Sequence, residues 1–217
     1  MSDEVKRRSY SSPLREQHAR DTRRRIRDAG DGLFRERGYA KTSIGDVAEA
    51  AGVSRQTVFD AFGSKAGLLK EVFDVRLAGD DEPVPLADRP EARRIMNATD
   101  PRDAIRKTAE FFVASSSRVV DLWPALLGEA ATDAELSALA TFYERGLLEG
   151  PTALVDVIAG LGALRKGRSR RKAKEAMYLL IHPSSTHAAF SFGWTEKEMV
   201  RWLTQCLEAL LLEPAEG

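Results

Sequence analysis

Apolar residues recur along most of this chain at intervals of three and four, the period of a helix with one buried face. No segment alternates in the manner of a half-buried strand, so the expected fold class is all-α. From about Glu16, Ile26, Ala29, Leu33 and Phe34 fall on one stripe while arginines fill the other faces. Gly30 and Gly32 should weaken this first helix by about 1 kcal/mol each, and Gly38 is placed to stop it. Ser43 caps a second helix through Ile44, Val47 and Ala48 to about Ala50. Ser54 caps a third that reaches Phe62, and Lys65 to about Ala78 form a fourth around Leu68, Leu69, Val72 and Phe73.

Residues 79–101 hold Gly79, Pro83, Pro85, Pro90 and Pro101 among acidic residues, the composition of a linker, with a short helix near Arg89 to Asn97. Beyond it the periodicity predicts helices over Ala104–Val120, Trp123–Ala131, Ala134–Gly160, Ser169–Ile181 and Thr195–Leu212. Residues 1–15 are polar and without period, and are expected to form a disordered basic arm. The pattern then divides into residues 16–78, four short helices, and residues 79–217, a larger helical domain.

The stretch TSIGDVAEAAGVSRQTVFDAF, Thr42 to Phe62, has the layout of a helix-turn-helix. Ala48 is small enough for two helices to approach, and Gly52 can take the left-handed conformation that ends the first. Val53 is expected to plug the turn, with Val58 and Phe62 anchoring the second helix. Arg55, Gln56 and Thr57 are left at the exposed N-terminus of that helix, the end that enters the major groove in such motifs.

Charge strengthens this picture once it is read by region. Lys and Arg equal Asp and Glu at 33 each, so the chain is formally neutral. Residues 1–70, however, carry 15 basic and 10 acidic side chains, and the rest carry 18 and 23. A basic N-terminal third on an acidic remainder suits a DNA-binding head on a body that does not bind DNA. The arginines at 20, 23, 24, 25 and 27 are read as a solvated face or a phosphate-tracking patch, with Lys6, Arg7 and Arg8 able to reach a minor groove. The solvated face is preferred for Arg20 and Arg24.

The segment Ile26 to Phe73 resembles the DNA-binding domain of the TetR family of regulators. The resemblance is carried by Leu33-Phe34, Gly38-Tyr39, Thr42-Ser43, Val47-Ala48, Ala51-Gly52-Val53-Ser54, Thr57-Val58-Phe59, Phe62 and Ser64-Lys65. It implies phosphate contacts from Thr42 or Ser43 and from Lys65, a cap at Ser54, and groove contacts from Arg55, Gln56 and Thr57. Phe59 stands where the family usually has a tyrosine, and Ala61 where it often has a histidine. Gln56 replaces a residue that is usually small, and its amide can pair with adenine, while Phe59 can touch a thymine methyl. Gly162 to Leu212 resembles one branch of the family more loosely.

The resemblance further implies a homodimer on a palindromic operator, built on the last two long helices, with Tyr178, Trp202, Cys206 and Leu210 at the interface. It implies a cavity in the body for an unidentified small-molecule effector. Candidate lining residues are Phe112, Ser116, Trp123, Tyr143, Tyr178, His182 and His187, with Phe142 and Phe190 beside them. Pro183 is expected to end a helix and place His182 at its C-terminus, where a protonated imidazole is favoured. The basic run Arg165 to Lys174 reads as a solvated loop and helix start, with its charge at the unfavourable end of the helix dipole.

An enzyme is not expected. Three histidines and one cysteine show no metal-ligand spacing, no G-x-S-x-G is present, and Gly160 to Gly167 lacks the ending of a P-loop. No cofactor, metal site or catalytic residue is expected. The lone Cys206, the lack of a long apolar run and the absence of a signal-like N-terminus predict a cytoplasmic bacterial protein. The expected function is a ligand-responsive transcriptional repressor, and a transcriptional activator or a helical adaptor acting through protein partners remain open alternatives.

Overall fold

In the computed structural model, residues 13–214 are described, so Lys6, Arg7, Arg8 and most of the N-terminal arm lie outside the described residues. These described residues form twelve α-helices and one 3-10 turn at Leu86–Asp88. The chain divides into two units, Met1–Val72 and Phe73–Gly217.

The first unit holds α1 (Pro13–Arg37), α2 (Ile44–Ala51), α3 (Arg55–Phe62) and the start of α4 (Lys65–Ala78). Ile26, Val47, Val58 and Leu68 are fully buried and make its core. Each short helix is bounded by its own chemistry. Ser43 and Asp46 form a reciprocal capping box at the start of α2, and Gly52 at φ +65° ends it in the left-handed region. Ser54 caps α3 through the Thr57 N–H. Gly30 does not break α1. A Cβ there would lie 2.9 Å from Leu68 Cδ2, so its absence lets α1 and α4 pack closely and offsets the lost propensity.

The second unit is built on α6 (Pro101–Ser117), against which α5 (Pro90–Met96), α9 (Ala153–Gly160), α11 (Pro183–Ser191) and α12 (Glu196–Leu211) pack. Its core joins Ile105, Ala109 and Val113 of α6 to Leu154, Val155 and Ile158 of α9. Met177 and Ile181 of α10 (Arg170–Ile181) complete it with Met199, Leu203, Leu207 and Leu211, a strict every-fourth-residue stripe of α12. Helices α7 (Trp123–Ala130) and α8 (Ala134–Glu149) pack against each other.

One sequence expectation is corrected here and another is extended. The expected Ala134–Gly160 helix is two helices, α8 and α9, broken at Gly150-Pro151, because proline lacks the N–H and disfavours a helical residue before it. Pro183 ends α10 as expected, with His182 as its C-cap, and it also starts a helix: it occupies the first turn of α11, where the missing N–H costs nothing. His182 therefore also caps the N-terminus of α11, with Nδ1 accepting the Ser184 N–H at 3.3 Å.

The basic run before α10 also finds a reason. Arg165 donates through its backbone N–H to the Leu211 carbonyl (2.7 Å) and through its guanidinium to the Ala209 carbonyl (3.2 Å). Charge that is unfavourable for α10 thus sits on the C-terminal carbonyls of α12, where it is favourable. Lys174 meets Asp156 at 2.5 Å, and Arg171 and Lys172 share Glu175.

Candidate nucleic-acid interface

Ser54, Arg55, Gln56 and Phe59 are exposed on α3, while Thr57 is half-buried and Val58 fully buried. An eight-residue helix thus turns one face inward and leaves its N-terminal polar residues and one aromatic ring outside. The exposed side chains are held by near neighbours. Ser54 Oγ accepts from the Thr57 N–H at 3.0 Å and lies 2.8 Å from the Thr57 hydroxyl. Gln56 Nε2 donates to Asp60 at 2.7 Å, which orients the amide along the outer face. That i, i+4 pair was readable in the sequence as a helical neighbour relation, and Asp60 is the partner that the sequence reading missed.

Arg55 is positioned from outside its own helix. A Cβ at Gly45 would stand 2.5 Å from Arg55 Nη2, so the guanidinium lies directly across the start of α2. Asp46 feels this charge. Its carboxyl is held below the usual carboxylate range, first by hydrogen bonds from Ser43 and then by Arg37 and Arg55.

The expected phosphate contacts occupy different settings. Ser43 is exposed at the N-terminus of α2, its hydroxyl donating to Asp46 at 2.7 Å. Thr42 is 1% exposed, with its hydroxyl donated to the carbonyls of Gly38 (2.8 Å) and Leu33 (3.3 Å), which leaves Ser43 as the outward hydroxyl of the two. Lys65 is half-buried. Its ammonium donates to the carbonyls of Tyr39 (3.0 Å) and Thr42 (3.1 Å) and lies 4.0 Å from the centroid of the Tyr39 ring. Two of its three donors thus tie down the loop that leads into α2.

Arg23 belongs to neither reading offered for the arginine run. Its guanidinium grips Glu71 with two bonds (3.0 and 2.8 Å), donates to the Ala61 carbonyl and lies 4.4 Å from the Phe62 ring centroid. It clasps the end of α3 to α4, and the pairing holds the Glu71 carboxyl below its ordinary range.

This arrangement is the one the family comparison finds. The family model described as bacterial regulatory proteins, tetR family, matches residues 26–72. Residues 26–72 are thus similar to that family's N-terminal head. The regulator AcrR of Shigella flexneri is 37% identical over 59 residues, 27% of this chain and 27% of that protein, so the aligned stretch spans about a quarter of the relative. The TetR-type fold extends further than this sequence match. NalD of Pseudomonas aeruginosa, the secondary repressor of the MexAB-OprM multidrug efflux pump, superimposes with a TM-score of 0.68 at 19% identity, covering 92% of this chain and 100% of that one. A transcriptional regulator from Saccharomonospora viridis in complex with choline gives 0.67 at 19% identity, covering 90% and 100%. This likeness shows the fold of the helical C-terminal region. The relatives matched over this head are transcriptional regulators.

In the TetR-type body, several of the candidate lining residues cluster. Phe73 lies 5.7 Å from Trp123 and 4.2 Å from Tyr143 between ring centroids, and His182 stands edge-on to Trp123 (6.1 Å) and Tyr178 (5.7 Å). Tyr143 donates its hydroxyl to Asp74 at 2.7 Å, and burial together with that carboxylate pushes the phenol's proton affinity up. Phe112 and Ser116 are buried, whereas His187 is exposed, as is Phe142, and Phe190 is half-buried. Trp123 Nε1 and Thr186 Oγ1 are buried without a hydrogen-bond partner among the described residues. A cavity of about 520 Å³ lies elsewhere in the same unit, beside α5 and α6, and none of these aromatic candidates lines it.

On α12, Trp202, Cys206 and Leu210 form a second stripe beside the buried one and are half-buried, while Tyr178 on α10 is likewise half-buried. Burial pushes the Cys206 thiol up, which makes it a poor nucleophile. Among the described residues no three His, Cys, Asp or Glu side chains are grouped to hold a metal ion, and no helix is long and apolar enough to cross a membrane.

Proposed function

We propose that this protein is a ligand-responsive transcriptional repressor that binds a palindromic operator as a homodimer and is released by a small-molecule effector. The observation that carries the reading is the N-terminus of α3, where Arg55 and Gln56 stand exposed and separately held on a TetR-family helix-turn-helix. Arginine and glutamine are the side chains best fitted to bidentate pairing with guanine and adenine in the major groove. Ser43, Ser54, Thr57 and Lys65 would position the helix on phosphates, with Phe59 against a thymine methyl. A second head is needed for a second half-site. The half-buried apolar stripe of Trp202, Cys206 and Leu210, with Tyr178 on α10, is the surface we assign to the partner copy. The repressor role of NalD and the choline held by the Saccharomonospora viridis protein support repression and a ligand-binding body.

The test is to map the sites that the protein occupies on genomic DNA, comparing wild type with Arg55→Ala plus Gln56→Ala. A short palindrome recovered by wild type and lost in the variant is the expected result. No enrichment by a folded dimer would overturn operator binding.

A further inference from the structure

The cavity of about 520 Å³ is of the size that holds a small organic ligand. Its wall combines Arg89 at the start and Arg94 in the last turn of α5, Lys107 and Arg118 on and just after α6, and the apolar side chains of Phe111 and Ala114. Three carboxylates also face it, but each has a cation of its own. Asp80 takes a bidentate grip from Arg89 (2.6 and 2.8 Å), which holds its pKa down to about 2. Glu110 pairs with Arg106 at 2.7 Å and Glu91 with Arg94 at 3.6 Å.

Arg118 differs from these. Its guanidinium donates to neutral oxygens alone: the carbonyls of Arg76 and Leu77 at the end of α4 (both 2.7 Å) and the Ser115 hydroxyl (3.3 Å). Those bonds use Nε and Nη2, and Nη1 has no hydrogen bond among the described residues. Burial disfavours its charged form, and the carboxylates of Glu196 and Asp80, neither of them bonded to it, only partly offset this. A second donor in the wall is also unmet. Arg89 Nε is buried without a partner, although both of its other nitrogens are bonded. A buried donor without an acceptor among the described residues and a guanidinium with no carboxylate bonded to it, beside an apolar ring, call for an occupant that is anionic at one end and apolar at the other.

We propose that this cavity binds a small organic carboxylate, its charged end on Arg118 and Arg89 Nε and its apolar body against Phe111 and Ala114. A carboxylate offers two acceptor oxygens in the plane that a guanidinium fork matches. The site deepens the ligand-responsive reading and rests on it for its regulatory meaning, while binding itself is measured without DNA.

The experiment is calorimetric titration of the full-length protein with benzoate, benzamide and inorganic phosphate. Benzoate is expected to bind saturably, with benzamide and phosphate each weaker by tenfold or more. Arg118→Gln should weaken benzoate by at least tenfold. Because Arg118 also caps α4, a second variant is needed that leaves every charge in place: Ala114→Trp fills the cavity and should abolish binding while the helical circular dichroism is kept. Absence of saturable benzoate binding, equal binding of benzamide, or benzoate binding that survives in Ala114→Trp would overturn the proposal. Operator occupancy by the wild type without benzoate reports on the repressor reading separately, so either can fail alone.

Discussion

In the first unit the exposed side chains of the helix-turn-helix are wired to near neighbours: Ser54 to Thr57, Gln56 to Asp60, Ser43 to Asp46. In the second unit the comparable side chains are held across long stretches of sequence. Arg118 is fixed by carbonyls 41 and 42 residues before it, and Tyr143 by an aspartate 69 residues before it. On the proposed function, the contrast follows from what each surface is for. A helix that reads DNA must present side chains outward, so most of their supports come from the same helix or the adjoining turn, although Arg55 lies across the start of α2. A cavity must be enclosed, so its walls come from helices that meet only after folding. Function in the head is therefore separable from stability, and in the body the two are joined.

The largest effect expected from this contrast is on DNA binding. Arg55→Ala plus Gln56→Ala should cost about 2–6 kcal/mol of sequence-specific binding, at about 1–3 kcal/mol for each bidentate pair. Thermal unfolding should be nearly unchanged, because both side chains are exposed. Mobility-shift titration against the recovered palindrome, with melting on the same samples, checks both halves. A large fall in melting temperature would break the separation of function from stability.

Leu207→Ala should do the reverse. Leu207 is fully buried in the α12 stripe, and its truncation should cost about 2–5 kcal/mol of unfolding free energy in a denaturant titration. A cost below about 1 kcal/mol would mean that this stripe does not organise the body.

Gly45→Ala should have a smaller effect, confined to the head. The new Cβ meets the far end of the flexible Arg55 side chain, so the fold adjusts and the guanidinium moves. Specific binding should fall, but by less than in Arg55→Ala. An equal or greater loss would mean that Gly45 matters to DNA in its own right.

The two capping boxes allow a matched test. Ser43→Ala in the head and Thr195→Ala in the body should each cost about 1 kcal/mol. The smallest effect is their pH dependence. Asp46 and Glu198 both have carboxyls lowered by hydrogen bonds from Ser43 and Thr195. A lowered folded pKa gives stability that is full above the ordinary carboxylate range and is lost as pH falls through the lowered value. Asp46→Asn and Glu198→Gln should flatten that part of the acid limb when unfolding midpoints are compared across acidic pH.

Local wiring also accounts for what could be read from the chain. Ser43, Gly52 and Ser54 announce the helix-turn-helix because a cap, a left-handed turn and a second cap are each decided by residues within a few positions. The same logic gave half the answer at Pro183, which ends α10 and also begins α11. Only the chain beyond it, which turns straight into α11, shows the second role. Arg23 was legible as a basic residue on a helical face, but its clasp on Glu71, 48 residues away, was not. For the body, the sequence singled out bulky aromatics, and the structure clusters several of them. The cavity lies instead beside α5 and α6, where its wall is mostly charged and nothing in the local pattern marks it.

By itself, then, the sequence determined the all-helical class, the head and the side chains on its reading helix. Each depends on periodicity, caps and turns that act over one or two helical turns. Tertiary structure alone decided that Thr42 faces inward, that Gly45 makes room for Arg55, and that Arg118 stands beside a cavity with no carboxylate bonded to it. Those outcomes depend on which helices come within a few ångströms of one another. Packing sets that distance, and the identity of a residue and its neighbours along the chain does not.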